Sequence, residues 1–407
     1  MRKSVLLLAA VSGMAVAGNA HAKAGDPVEI AEGVTIDPIL TALVRYEGVD
    51  QDDANLDADA LTLGLNAGFE IKSGGFSVLA EGEATIALID NYNAYPFPVS
   101  SSQRRTQYSV VADPQNFEIN RLHAGYSGDF GSLTVGRQRI VLGNSRFVGN
   151  VGWRQNEQTF DAVRGVAKVG PATLDVTYSI SQRSIFGTNA EAREAFDGDH
   201  VFVNAGAKLA GIDLTGFAYL LDYSDDEPGP ARSSQTYGAI ASGKVPMGEA
   251  LALTFTASYA RQSDYDGDTP DYAADYINAE LGTVVSGFSI AAGYEKLGSD
   301  DGVIAFSTPM ATLHKFNGFA DVFLNTPANG IEDYYGSLGY TIAGVKAGVT
   351  YHKFESDVGG LDYGSEWDAT LGFKVAGYPM LVKYANYDAE DFGTDTEKLW
   401  IQVSFAY

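Results

Sequence analysis

Five of the fourteen arginines in this 407-residue chain fall between Leu133 and Gly165: Arg137, Arg139, Arg146, Arg154 and Arg164. Only Glu157 and Asp161 oppose them there, so the stretch carries a formal charge of +3 in a chain whose net charge is −25. Guanidinium groups keep their protons and make poor bases or nucleophiles. What they can do is hold carboxylates and other anions with a planar fork of donors. The histidines add little: His123, His200, His314 and His352 come with no nucleophile motif such as G-x-S-x-G. The acidic run Asp264–Asp268 has its glycine misplaced for an EF-hand and lacks the closing glutamate, so no metal or other cofactor is expected. A chain this acidic is also a poor partner for nucleic acid. The chemistry on offer is binding and sorting of charge, not catalysis.

The pattern around the arginines indicates what could position them. Met1-Arg-Lys, an apolar run from Val5 to about Ala17 and Ala20-His-Ala22 read as a secretory signal peptide over residues 1–22. Residues 23–35 then form a short periplasmic N-terminal segment, and loss of Arg2 and Lys3 brings the net charge to −27. No cysteine is present, so the fold holds without disulfides. No later run of about 18 apolar residues occurs, which excludes transmembrane helices but not membrane-spanning strands.

From Ile36 onward eighteen segments alternate in polarity. Asp59–Lys72 sets Leu61, Leu63, Leu65, Ala67, Phe69 and Ile71 against Thr62, Gly64, Asn66, Gly68 and Glu70. Eight connections are short and marked by Gly or Pro, and the nine between them are longer and mostly acidic. This is the pattern of an all-β, transmembrane, antiparallel up-and-down β-barrel of about eighteen strands over residues 36–407, with its short turns in the periplasm. The final segment sets Leu399, Ile401, Val403, Phe405 and Tyr407 against Lys398, Trp400, Gln402 and Ser404. Such a strand would meet outer-membrane lipid and lipopolysaccharide on one face. Ending on an aromatic residue, it would also serve as the signal to the barrel-assembly machinery.

A cation facing lipid at mid-membrane costs about 2–4 kcal/mol, so Arg121 with His123, Arg137 with Arg139, and Arg164 with Lys168 are expected to point inward. The preceding hairpin turns Glu81 and Glu83 inward as well, beside Glu70. A basic wall beside an acidic one would set up a transverse field that sorts solutes by charge. Lateral pairing of the same Glu and Arg side chains, merely satisfying a polar interior, is the alternative.

Two long connections look unsuited to bulk water. Phe147–Phe160 contains Trp153 and few acids, and is expected to fold inward as a constriction. In the segment 298–331, Thr308 can cap and Pro309 can start a helix, with Met310, Leu313, Phe316, Ala320 and Phe323 at helical spacing. One short helix over 309–324 is expected inside the barrel mouth, carrying His314 and Phe316 towards the constriction.

Val135-Gly-Arg-Gln-Arg-Ile140, Gly143-Asn-Ser-Arg-Phe-Val-Gly149, Trp153-Arg-Gln-Asn156 and Thr159-Phe-Asp-Ala162 together resemble a block of the alginate-export porin family. The resemblance implies an eighteen-stranded outer-membrane porin whose Arg137, Arg139, Arg146, Arg154 and Arg164 line a path for anionic sugars. On this basis the chain is expected to be a channel in the bacterial outer membrane for passive diffusion of small hydrophilic, anionic or sugar-like solutes. The competing reading is a plugged barrel that serves as a surface interaction protein.

Overall fold

The computed structural model describes residues 27–224, 232–247, 251–265 and 270–406. The signal peptide, most of the Asp264–Asp268 run and Tyr407 lie outside these residues. Eighteen strands form the wall. The first six are β1 (Val34–Gln51), β2 (Ala58–Ser73), β3 (Phe76–Asn91), β4 (Asn116–Gly128), β5 (Gly131–Gln138) and β6 (Thr159–Val169). Then come β7 (Ala172–Arg183), β8 (Ala195–Leu209), β9 (Ile212–Tyr223), β10 (Ser234–Pro246), β11 (Ala252–Asp264) and β12 (Ala273–Val285). The last six are β13 (Phe288–Leu297), β14 (Ile331–Ile342), β15 (Val345–Glu355), β16 (Asp362–Val375), β17 (Tyr378–Ala389) and β18 (Thr396–Ala406).

Each strand pairs antiparallel with its sequence neighbours, and β1 pairs with both β2 and β18, which closes the barrel and leaves no free edge. Val28–Ala31 folds back on the start of β1 as a short hairpin strand. The eight short and nine long connections fall where the sequence pattern places them. Four of the short turns, Ala210-Gly211, Ser286-Gly287, Ala343-Gly344 and Ala376-Gly377, have positive φ at both central residues. That is the type I′ geometry whose twist matches flanking antiparallel strands.

The two faces of the wall differ as the alternation requires. On β18, Leu399, Ile401 and Phe405 are exposed on the outside, while Lys398, Trp400 and Gln402 are buried inside. Phe69, Val78, Ile86, Phe117, Leu122 and Val135 continue the exposed apolar surface on other strands. An apolar belt of this extent belongs in lipid.

The barrel is not empty. Its larger apolar cluster joins inward wall residues such as Phe160, Phe202, Tyr276, Phe354, Tyr387 and Trp400 to Phe147, Val148, Trp153, Met310 and Phe323 of two long connections. The 298–330 connection is therefore inside the mouth, but the helix expected over 309–324 is absent. Only Leu313–Lys315 makes a single 3-10 turn. The reason is local. Asn317 and Gly318 take φ of 55° and 85°, and Asp321 takes 62°, so an Asn-Gly reverse turn interrupts the run of apolar residues. Their spacing mimicked a helical stripe because each needed cover, not because they share a helix face.

The candidate solute path

Two re-entrant connections, 139–158 and 298–330, are knitted to each other before either meets the wall. Val148 and Met310 form a parallel bridge. The Gly149 amide donates to the Met310 carbonyl at 2.8 Å, and the Thr312 amide to the Ser145 carbonyl at 3.0 Å. Gln158 Nε2 donates to both the Gly149 and Met310 carbonyls, at 2.8 and 2.9 Å. The unpaired backbone groups of irregular chain are thus satisfied inside the barrel, which makes such chain tolerable at membrane depth.

The wall then grips the pair through buried charge. Arg146 makes a forked contact with Glu295 of β13 at 3.0 and 3.2 Å and donates to Asn317 Oδ1 at 2.9 Å. Asn317 Nδ2 in turn donates to Glu295 and to Asp333 of β14. Two β16 carboxylates accept backbone amides of the 298–330 segment: Glu366 from Ala320 at 2.7 Å and Asp368 from Phe319 at 3.2 Å.

At the centre stands Arg154. Its Nη1 donates to both Glu47 oxygens on β1, at 3.2 and 3.1 Å, its Nη2 to Asp321 at 2.9 Å, and Asp113 lies at 3.9 Å. Burial works against the charge, but Glu47, Asp113 and Asp321 outweigh it and hold the guanidinium's pKa above the ordinary range. Arg45 of β1 donates to Gln402 of β18 and lies over the Trp153 ring at 4.1 Å. Trp153 stacks on His314, with centroids 4.4 Å apart and planes 11° apart. Lys383 of β17 approaches His314 Nε2 at 2.6 Å and sits 3.3 Å from the centre of the Phe319 ring. Burial holds the His314 imidazole well below its ordinary pKa, hence neutral.

The arginine residues named from sequence are brought to the lumen with one exception, and each has a carboxylate partner. Arg121 forks onto Glu81 at 2.8 and 2.7 Å, and Arg164 onto Asp175 at 3.0 and 2.6 Å. Arg139 pairs with Glu157, whose amide donates to Glu83 at 3.2 Å. Phe316 packs under the Arg146 guanidinium at 4.7 Å.

Arg137 is the exception. It is paired across the sheet with Leu122, two residues along from the Val135–Ala124 pair, and Leu122 and Val135 are exposed on the outer face. Residues directly opposite in an antiparallel pair share a face, so Arg137 points outward, where it forks onto Asp161 at 2.8 and 2.9 Å. The facing rule failed because its penalty depends on depth. Arg137 is one residue from the external end of β5, where the cost of a lipid-side cation falls to about 0–1 kcal/mol, and Asp161 neutralises it.

The central hub was largely missed. Lys398 and Trp400 were visible as the inward face of β18, but Arg45, Glu47, Asp113, Asp321 and Lys383 carry no motif. Arg45 and Glu47 are separated by one residue, which strand alternation would have placed on one face.

A family model described as alginate export matches residues 76–260. No curated protein matches the sequence. Among solved structures, Pseudomonas aeruginosa OpdK with vanillate is similar at a TM-score of 0.70 and 14% identity, over 93% of this chain and 100% of that one. Acinetobacter baumannii OccAB3 is similar at 0.69 and 16%, over 93% and 100%. Pseudomonas aeruginosa OccK9 (OpdG) is similar at 0.70 and 13%, over 92% and 99%. With the closed wall, the lipid-facing belt and the alginate-export match in its first two-thirds, the chain is an eighteen-stranded outer-membrane barrel of the porin type that resembles the alginate-export family.

Proposed function

We propose that the chain is a passive channel for small hydrophilic solutes, anionic or sugar-like, and that its two re-entrant connections set what passes. The observation that carries this reading is the hub. Arg45, Arg154, Lys383 and Lys398 converge where the connections narrow the lumen, and Lys383 donates to the His314 imidazole with Asp368 nearby. Cations in a confined, poorly hydrated passage act at short range, whereas acids in the external connections face bulk water and are screened beyond about 8 Å at 0.15 M salt. Local charge therefore outweighs the acidity of the whole chain. Arg139, Arg164 and Arg121 extend the cationic side along the wall, each tempered by its carboxylate.

A second reading has its own support. The interlock of 139–158 with 298–330 is dense enough to serve as a plug, leaving the barrel as a surface interaction protein. Reconstitution in planar bilayers separates the two. A channel gives discrete conductance steps, with a reversal potential in a salt gradient displaced towards the anion. A plugged scaffold gives none.

A further inference from the structure

The wall is closed all round, but not to one height. Because the chain turns into the lumen at Arg139, β5 has eight residues, fewer than the about 9–11 that a tilted strand needs to cross a bilayer. Its register on β4 ends at the Leu122–Arg137 pair, and on β6 at the Gln138–Phe160 pair. Above that level Asn116–Arg121 of β4 are paired with β3 alone, which leaves about 20 Å of strand edge at about 3.4 Å per residue. Phe117 and Ile119 on this edge are 78% and 54% exposed, so the apolar outer face continues beside the seam. An edge there needs partners, and side chains supply them. Arg137 Nη1 donates to the Ile119 carbonyl at 3.1 Å while its Nε and Nη2 hold Asp161 of β6. Arg183 Nη2 of β7 donates to Glu118 Oε2 at 3.2 Å, and the amide and hydroxyl of Thr188 donate to Asn116 Oδ1 at 3.1 and 2.9 Å. Such stitches can swing aside by rotamer changes, as a backbone ladder cannot.

We propose that the seam between β4 and β6 is a lateral portal, latched by Arg137 and Arg183, through which a single-chain amphiphile with an uncharged, hydroxyl-bearing head passes between the lumen and the outer leaflet. The two sides of the seam call for an amphiphile. Outside, the exposed Phe117, Ile119 and Ile180 meet an apolar tail. Inside, Glu118, Asn120 and Arg121 present polar groups to a head. The ions there are already paired, Arg121 with Glu81 and Arg139 with Glu157, so a charged head would have to strand one of them. Asn120 Oδ1 and Arg183 Nε, in contrast, are a buried acceptor and a buried donor without hydrogen-bond partners, which hydroxyl groups satisfy from either role. Against the same latch opens a recess of about 450 Å³, lined by Asp161, Ile180, Ser181, Arg183 and Asp199 among others. It gives a polyol head a place to wait in the interfacial zone. This route is additional to the axial channel and does not depend on it.

The test uses the full chain in liposomes, with tryptophan emission as the readout. Trp153 and Trp400 are buried inside the barrel, whereas Trp367 is exposed on its outer face. Trp367→Phe therefore leaves only inner emission, and Thr134→Trp, on the lumenal face of β5 opposite Arg164, adds a reporter below the seam. The probe is an alkyl glucoside brominated at the end of its tail, and the control is phosphatidylcholine brominated in its acyl chains. In this reporter protein the glucoside quenches and the brominated phosphatidylcholine does not. Arg137→Gln reaches the same quenching at about a tenfold lower glucoside content, the effect of one lost charge-assisted hydrogen bond. Glu118→Cys with Arg183→Cys is quenched until a short bis-maleimide joins the two thiols, and is not quenched afterwards. Quenching that survives the cross-link means entry by the mouth and overturns the proposal, as does unchanged quenching in Arg137→Gln. Should the cysteine pair fail to assemble, as judged by heat-modifiable migration, Arg137→Gln decides alone. Rapid, complete disulfide dimerisation of Phe117→Cys would show the seam covered by a second copy of the chain, and overturns it too. No ion current is read, so the result stands whether or not the barrel conducts.

Discussion

Replacing Arg154 with Gln should unfasten the two re-entrant connections while leaving the wall closed. The substitution removes the guanidinium from Glu47, Asp321 and the nearby Asp113, and leaves three buried carboxylates with Arg45 and Lys398 as their remaining cations. Removing one partner of a buried pair costs about 3–5 kcal/mol, a factor of about 100 to 4,000 in the equilibrium it opposes. The wall, with every strand paired on both sides, does not give way for that amount. Arg154 and Asp321 both belong to the connections, so the cheapest response is for 139–158 and 298–330 to leave the mouth and let water reach the carboxylates. Hydrogen exchange read by mass spectrometry should then show amides such as Gly149, Thr312, Phe319 and Ala320 exchanging about 100-fold faster or more, with strand amides unchanged. A double-mutant cycle with Asp321→Asn should recover part of the loss, because it removes one of the stranded charges. Protection unchanged at Thr312 and Ala320 in Arg154→Gln, or strictly additive costs in the cycle, would refute the assignment of Arg154 as the fastening point.

Further outcomes follow from the same geometry. Arg164→Gln, which leaves Asp175 unpaired on the lumenal face, should move the reversal potential towards cations, whereas Arg137→Gln, on the outer face, should leave it where it is; equal shifts would mean the facing of β5 is wrong. Gly318→Ala should loosen the 298–330 connection, since a Cβ there would lie 2.2 Å from Glu366 Oε2 on a backbone with φ of 85°, and non-glycine residues in that region cost about 1–2 kcal/mol; wild-type exchange protection at Ala320 would contradict this. Acidification should release the same connection. His314 has a depressed pKa when docked, chiefly through burial, and regains about 6.5 when free. The released state therefore binds the extra proton, so docking is at full strength above about pH 6.5 and weakens as the pH falls below it. The low pKa of docked Asp321 acts in the same direction at more acid pH. Open probability that is flat between pH 7.5 and 5 would argue against His314 as a docking contact.

Every named lumenal arginine finding a carboxylate changes what the cationic cluster means. Like charges at one level, as Arg121 and Arg139 are, would repel in a low-dielectric wall, and Glu81 and Glu157 answer them laterally. The lumen is thus lined by neutralised pairs, not by an open cationic strip.

What the sequence determined by itself was the wall. Strand alternation has a period of two, lipid tolerates only apolar side chains on one face, and short and long connections mark the two ends, so eighteen strands, their order and most of their facings were legible from residues such as Leu399, Trp400 and Ile401. Each of those facts depends on near neighbours in the chain. The contents of the barrel do not. Arg45 meets Asp113, Arg154 meets Glu47 and Asp321, and Lys383 meets His314, over separations that no local pattern records. Helical spacing over 309–324 misled for the same reason, because Met310, Ala320 and Phe323 are buried by different partners around an Asn317-Gly318 turn. The facing of Arg137 depended on how high β5 rises before its chain turns inward. Only closure of the barrel brings β1, β13, β16, β17 and β18 around the two connections, and that convergence decided which charges meet in the buried hub and which pair along the wall.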